Sequence, residues 1–181
     1  MANHVITFVE VLSDEPKVFE KLKEMFDGHD WKTLQDTMFL YNILYPEAGG
    51  EYDRGEYTDR MGAKWAYIEN VEAYDEAFQM STCSAWYYIE NAIERLGKIL
   101  FEIDNDVVLQ YTFEDESLDP IGGGGWYKNE MITYNDTYEW PDEDADDYDE
   151  KMDELWENVH NIQNELMEEA VQDLIDDFED E

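Results

Sequence analysis

Residues 62–83, GAKWAYIENVEAYDEAFQMSTC, decide how the rest of the chain is read. Lys64, Trp65, Ala66, Tyr67 and Ile68 alternate as a half-buried strand does, and Ala77 to Cys83 alternates again. Asn70 to Asp75 between them is a turn signal, so the two runs predict an antiparallel hairpin. What flanks the hairpin then sets the fold.

Upstream, residues 3–12 (NHVITFVEVL) are apolar and β-branched and stop at Ser13-Asp14, which predicts a buried strand. Ser13 or Asp14 is placed to cap the next element, with Pro16 in its first turn. Val18, Phe19, Leu22, Met25 and Phe26 recur at helical spacing up to Gly28. Leu34, Met38, Leu40, Tyr41 and Leu44 predict a short helix before Pro46. The polar stretch Glu47 to Arg60, which holds Arg54 and Arg60, reads as a loop. Downstream of the hairpin, Ser84 is read as the cap of a second helix, lined by Trp86, Ile89, Ile93 and Leu96 and stopped by Gly97. Val107 to Phe113 predicts a strand, Gly122 to Gly125 a flexible turn, and Trp126 to Tyr138 one further edge strand. The order strand, helix, strand, strand, helix, strand is the split βαβ arrangement of a ferredoxin-like α+β fold. Right-handed crossovers would place both helices on one face of its antiparallel sheet.

Charge bounds the function. The chain carries 48 Asp plus Glu against 11 Lys plus Arg, a net charge of −37 over 181 residues. A field of that sign draws basic protein surfaces and repels nucleic acid and anionic membrane. Direct DNA or RNA binding and membrane association are therefore not expected. Cys83 is the single cysteine, so no internal disulfide forms, and a reducing, cytoplasmic setting fits. Met1 to Leu12 has no basic leader, and no apolar run approaches the ~20 residues that span a bilayer.

About half of the charge sits in residues 142–181, which hold 19 acidic residues and one lysine. Met152, Leu155, Trp156, Val159, Ile162, Leu166, Ala170, Leu174 and Phe178 follow steps of three and four through this segment. The pattern predicts a long amphipathic helix whose apolar stripe docks on the domain of residues 1–141 or on another copy. Its opposite face would carry the candidate partner-binding residues Asp142, Glu143, Asp144, Asp146, Asp147, Asp149, Glu150, Asp153, Glu154, Glu157, Glu165, Glu168, Glu169, Asp173, Asp176 and Asp177.

Four strings carry a family resemblance: Gly62-Ala63-Lys64-Trp65, then Ser81 to Trp86 entering a helix, then Val108-Leu109-Gln110-Tyr111, then Gly122 to Gly125. Together they resemble the plasmid- and phage-borne YubB-like family over about residues 2–134. Where that family has proline after its second tryptophan, this chain has Tyr87 and Tyr88. The resemblance implies a mobile-element origin and a ferredoxin-like domain. It implies no catalytic residues, and the acidic segment from Asp142 lies outside it.

Other chemistry is weighed against plainer readings. His4, His29 and His160 stand far apart, without zinc-ligand spacing. Asp104-Asn105-Asp106 opens like a calcium loop but lacks the glycine and closing glutamate at the required offsets. Cys83 has no histidine near it in sequence and reads as a structural thiol. Gly122 to Gly125 lacks the Gly-Lys-Ser/Thr ending of a phosphate loop. Trp65, Tyr67, Trp86, Tyr87, Tyr88, Trp126, Tyr127, Tyr138 and Trp140 lack the basic neighbours of a base-stacking platform and read as core and protein-contact anchors. No catalytic residue, cofactor or metal is expected.

The expected function is binding, by an acidic inhibitor from a phage or other mobile element that mimics nucleic acid. Its partner would be a basic, nucleic-acid-binding host protein, such as a defence nuclease, a restriction or CRISPR effector, or a transcription factor. Two alternatives stand beside it. One is an acidic regulatory or homodimeric protein without mimicry; the other is a metal-dependent carboxylate hydrolase.

Overall fold

Four glycines that read as a turn lie in an interior strand of the sheet. The computed structural model describes residues 3–48, 53–141 and 147–179. Six strands, β1 (His4–Leu12), β2 (Ala66–Ala73), β3 (Phe78–Ala85), β4 (Val108–Asp115), β5 (Ile121–Tyr127) and β6 (Glu130–Asp136), make one antiparallel sheet in the order β2-β3-β1-β4-β5-β6. Helices α1 (Pro16–Phe26), α2 (Trp31–Leu34), α3 (Thr37–Leu44) and α4 (Arg54–Met61) lie between β1 and β2, and α5 (Glu90–Phe101) joins β3 to β4. The last helix, α6 (Tyr148–Glu179), follows β6.

Strand alternation divides the core between the two sheet faces. Val5, Val9 and Val11 of β1 point to one face with Met80 and Phe78 of β3 and Leu109, Tyr111 and Phe113 of β4. Helices α1, α3, α4 and α5 cover that face with Val18, Phe19, Leu22, Leu40, Tyr41, Tyr57, Ile93 and Leu96, all buried. Tyr57 fastens α4 to β2: its hydroxyl accepts from the Ala66 backbone N–H at 3.0 Å and donates to the Thr37 carbonyl at 2.9 Å. α6 lies on the opposite face, over β5 and β6.

β5 is buried on both sides, which explains its composition. Gly122 and Gly124 face the rings of Phe113 and Tyr111 from β4. Gly123 and Gly125 face α6, where a Cβ on Gly123 would lie 2.6 Å from the Gln163 carbonyl oxygen and the Met167 amide nitrogen. Close approach of backbone to strand is a recognised use of strand glycine. Trp126 then points back toward α5 and lies against Gly97, where a Cβ would overlap its indole.

Several local expectations are thereby corrected. Gly97 does not stop the second helix; it makes room for Trp126, and α5 continues to Phe101. Ser84 does not cap that helix. It belongs to β3, and its hydroxyl donates to the carbonyls of Val5 and Tyr87. Trp86 is an exposed residue with φ 74° between β3 and α5, and Ile89 holds the cap position. Trp126 to Tyr138 is not one strand: Lys128 and Asn129, with φ of 48° and 68°, form a two-residue hairpin turn between β5 and β6. Arg54–Met61 is helical rather than loop. Asp53 caps it by accepting from the Glu56 N–H, and Gly62 ends it in the left-handed conformation at φ 82°.

The apolar stripe of α6 docks on the chain's own sheet. Leu155, Val159, Ala170 and Leu174 are buried, and burial of each leucine or valine contributes about 1.5–3 kcal/mol. Leu118 and Ile121 receive Leu155 and Val159. Gln163 is the buried polar residue of this interface; its Nε2 donates to the Phe113 carbonyl at 2.8 Å and to Glu114 Oε2 at 3.3 Å. Tyr134 of β6 donates to Asp173 Oδ2 at 2.6 Å. Gly123→Ala is expected to lower stability by about 1–3 kcal/mol, as overpacking of a close-packed contact does. Chemical denaturation measures the loss, and faster amide exchange within 159–174 locates it at the α6 seat.

Candidate partner-binding surface

Docking by one stripe leaves the other faces of α6 to solvent. Glu154, Glu157, Glu165, Glu168, Glu169, Asp176 and Asp177 are exposed along it, and Asp147 is exposed just before it. Asp173 is half-buried by its bond with Tyr134, and Asp176 accepts from Gln172 Nε2 at 2.6 Å. Asp149, Glu150 and Asp153 lie on the helix by their backbone. Asp142, Glu143, Asp144 and Asp146 lie outside the described residues. Lys151 is the single cation of α6, and Asp147 occupies it at 3.0 Å, which holds the Asp147 carboxyl below its usual range.

Apart from Lys151 and Lys128, which lies 5.4 Å from the Phe178 ring, the positive charges lie away from this helix. Eight of the eleven Lys and Arg residues lie on α1, α2, α4 and α5, in the layer on the far side of the sheet, and Lys64, just before β2, lies 5.8 Å from the Trp86 ring. Arg60 and Arg95 flank the Tyr45 ring at 5.0 and 5.4 Å and pair with Glu47 and Glu56. Lys128, at the β5–β6 turn, lies 4.7 Å from the Tyr127 ring and 3.6 Å from Asp106. Both sides of the sheet are acidic, but among the described residues most ion pairs lie in the α1–α5 layer, and Lys151 with Asp147 is the ion pair of α6.

Among the described residues α6 packs chiefly on β5, β6 and β4, which leaves outer-face residues of β1 exposed. Phe8 is 50% exposed there and Leu12 43%. Between this open face and α6 runs a groove of about 300 Å³, whose lining includes Phe8, Glu10, Gln79, Gln110, Asn164 and Met167. Glu10 is held in place by its two strand neighbours: Gln79 Nε2 donates to Oε1 at 3.1 Å and Gln110 Nε2 to Oε2 at 2.5 Å. The sequence expectations did not include this cluster. Its signal was the register: three polar residues fall opposite one another only once β1, β3 and β4 are paired.

The remaining candidates resolve into structural roles. Asp104 accepts from Ser13 Oγ at 2.5 Å and from the Asp106 N–H at 2.9 Å, so both its oxygens serve the loop. Among the described residues no group of three or more His, Cys, Asp or Glu is arranged to hold a metal. Cys83 is buried and burial pushes its thiol up, which disfavours a thiolate nucleophile. Tyr88 and Trp126 are core, whereas Trp86, Tyr87 and Trp140 are exposed. Among the described residues no helix is long and apolar enough to cross a membrane.

Comparisons with known proteins add little. No family model matches the chain, and no curated protein does. Among solved structures, a similar chain comes from the crystal structure of A. aeolicus tRNASec in complex with M. kandleri SerRS, at 14% identity and a TM-score of 0.30. That match covers 93% of this chain and 31% of the other, so this chain spans about a third of its length. Likeness at that level carries no argument about fold or function.

Buried phenols give the fold an alkaline limit. Burial pushes Tyr45 up to about 12. The hydrogen bond with Cys83, then burial, pushes Tyr67 up to about 12. Burial also raises Tyr88 and Tyr111. Unfolded tyrosine titrates near 10, so the folded state favours the neutral form. The resulting stabilisation is complete below about pH 10 and is lost as pH rises through about 12. Denaturation midpoints should fall across that window. Phenolate absorbance should show a late-titrating group; all tyrosines ionising together near pH 10 would contradict the burial described.

Proposed function

We propose that this chain is an acidic inhibitor from a mobile element that mimics nucleic acid and occupies the basic nucleic-acid-binding surface of a host protein. The observation that carries the reading is the acidic face of α6, where Glu154, Glu157, Glu165, Glu168, Glu169, Asp176 and Asp177 are exposed opposite the docked stripe. α6 places twelve carboxylates in 32 residues. At 1.5 Å rise per residue its axis is about 48 Å long, so one charge falls every ~4 Å. A single DNA strand carries one per about 3.4 Å. A groove lined with lysine and arginine to meet phosphates would meet this helix through the same contacts.

Two further features support the reading. The placement of most cations in the far layer leaves Lys151 and Lys128 as the cations beside α6, so its side carries a large excess of carboxylates, which speeds encounter with a basic surface. Strands β1 to β4 in the order β2-β3-β1-β4, with α1 after β1 and α5 after β3, favour the ferredoxin-like assignment implied by the family resemblance. The partner classes that fit are a defence nuclease, a restriction or CRISPR effector, or a transcription factor.

A displacement assay tests the proposal. The full chain is titrated into complexes of such candidate proteins with labelled duplex DNA, at several salt concentrations. Expected is displacement of DNA with an affinity that falls steeply as salt rises. Replacing Glu154, Glu157, Glu165, Glu168 and Glu169 by Gln keeps helix propensity and should weaken displacement by about one to two orders of magnitude while flattening the salt slope. Failure to displace DNA from any candidate, or a glutamine variant that competes as well as the parent, sinks the reading.

A further inference from the structure

We infer that the groove between α6 and the open half of the sheet is a seat for an arginine side chain of the basic partner. The inference rests on the reading that the partner is basic, and it names where, apart from the α6 ridge, that partner is recognised. Glu10 forms the floor. The Gln79 and Gln110 amides fix its carboxylate from both sides, and each oxygen keeps a further lone pair for a donor. Among the described residues no ion pair engages Glu10 or Glu72, which lines the same groove. Two residues along β1, on the same face, the half-exposed Phe8 ring offers an apolar platform.

A fixed carboxylate beside an open aromatic ring fits guanidinium chemistry. The planar fork of arginine bonds a carboxylate through two N–H groups, and its weakly hydrated face stacks on a ring. Lysine, a strongly hydrated point charge, gains less from either. The groove volume of about 300 Å³ lies at the lower end of ligand pockets, room for one or two long side chains and not for a folded element. The α6 wall is Asn164 and Met167; Glu168, outside the lining, follows Asn164 by one helical turn and is exposed. A second copy of a chain with net charge −37 would bring like charge to a face already lined with carboxylates, and nucleic acid would do the same.

The probe is octa-arginine, with octa-citrulline as the uncharged control of similar shape and octa-lysine as the charge-matched one, added to the full chain and followed by NMR. Expected are saturable shifts of the Gln79 and Gln110 side-chain amides and the Phe8 ring with octa-arginine and none with octa-citrulline. Glu10→Gln keeps the size and polarity of the side chain and should weaken octa-arginine binding about fivefold, the effect of one partly solvated charge contact. Phe8→Ser removes the platform at a half-exposed position and should lower the preference for arginine over lysine. The five-glutamine α6 variant should bind less tightly overall yet still shift Gln79 and Gln110. Shifts confined to α6, with the two glutamine amides unmoved, overturn the arginine seat and leave the inhibitor reading standing. Equal binding and equal shifts with octa-lysine overturn the guanidinium assignment. Absence of any octa-arginine binding removes both.

Discussion

The contact between α6 and β5 is the one on which the rest of the architecture depends. A helix seats this close to a strand only where the strand has no side chains on that face. Gly123 and Gly125 provide that bare surface, and Val171, Leu174 and Met167 fill it. On the reverse face, Gly122 and Gly124 give the same clearance to Phe113 and Tyr111, so β5 serves as a thin septum between two packed layers. Loss of side-chain packing within the strand costs stability, and glycine costs backbone freedom as well. Both costs are offset by what the thinness allows on each side, since interiors pack to near-crystalline density. The position of α6 over β5 then sets which carboxylates face solvent and how much of the sheet stays open.

Much of this was legible in the chain itself, and the failures have a common physical cause. β1, the β2–β3 hairpin, β4 and α1 announce themselves through alternation or helical spacing of their own residues. The stripe Leu155, Val159, Ala170 and Leu174 announced a docked helix in the same way. What did not read correctly depended on a neighbour distant in sequence. The glycines at 122–125 signal a turn by composition, and only the rings of β4 and the backbone of α6 make them a strand. Gly97 looks like a helix stop until Trp126 is placed against it. Arg54–Met61 has a weak apolar pattern, and its helix is secured by the Asp53 cap and by the burial of Tyr57 and Met61. Of the candidate surface, the α6 carboxylates were visible as a charge run on a periodic scaffold. The groove was not, because Glu10, Gln79 and Gln110 become a cluster only through strand pairing.

Charge and fold are also coupled through the layer arrangement. Five cations on the α1–α5 side stand in ion pairs: Lys21 with Glu24, Lys23 with Asp75, Lys98 with Glu94, Arg60 with Glu47 and Glu56, and Arg95 with Glu47. Such exposed pairs stabilise little individually. Their effect is on the field, because they spend the few positive charges far from α6. The two populations lie on opposite sides of the sheet, so distance and salt screening limit how much those cations offset the α6 carboxylates.

The burial of Leu155, Val159 and Leu174 has a consequence for any encounter between α6 and a partner. A loose acidic tail of the same composition would have to surrender its backbone freedom on binding, about 1–2 kcal/mol for each residue brought to order. Here folding has already met that expense. The ridge enters an encounter with its shape settled in advance, so more of the electrostatic attraction survives as affinity. On the proposed reading the same rigidity would narrow the choice of partner, for a surface that cannot bend to a poorly matched cleft selects those already curved to receive it.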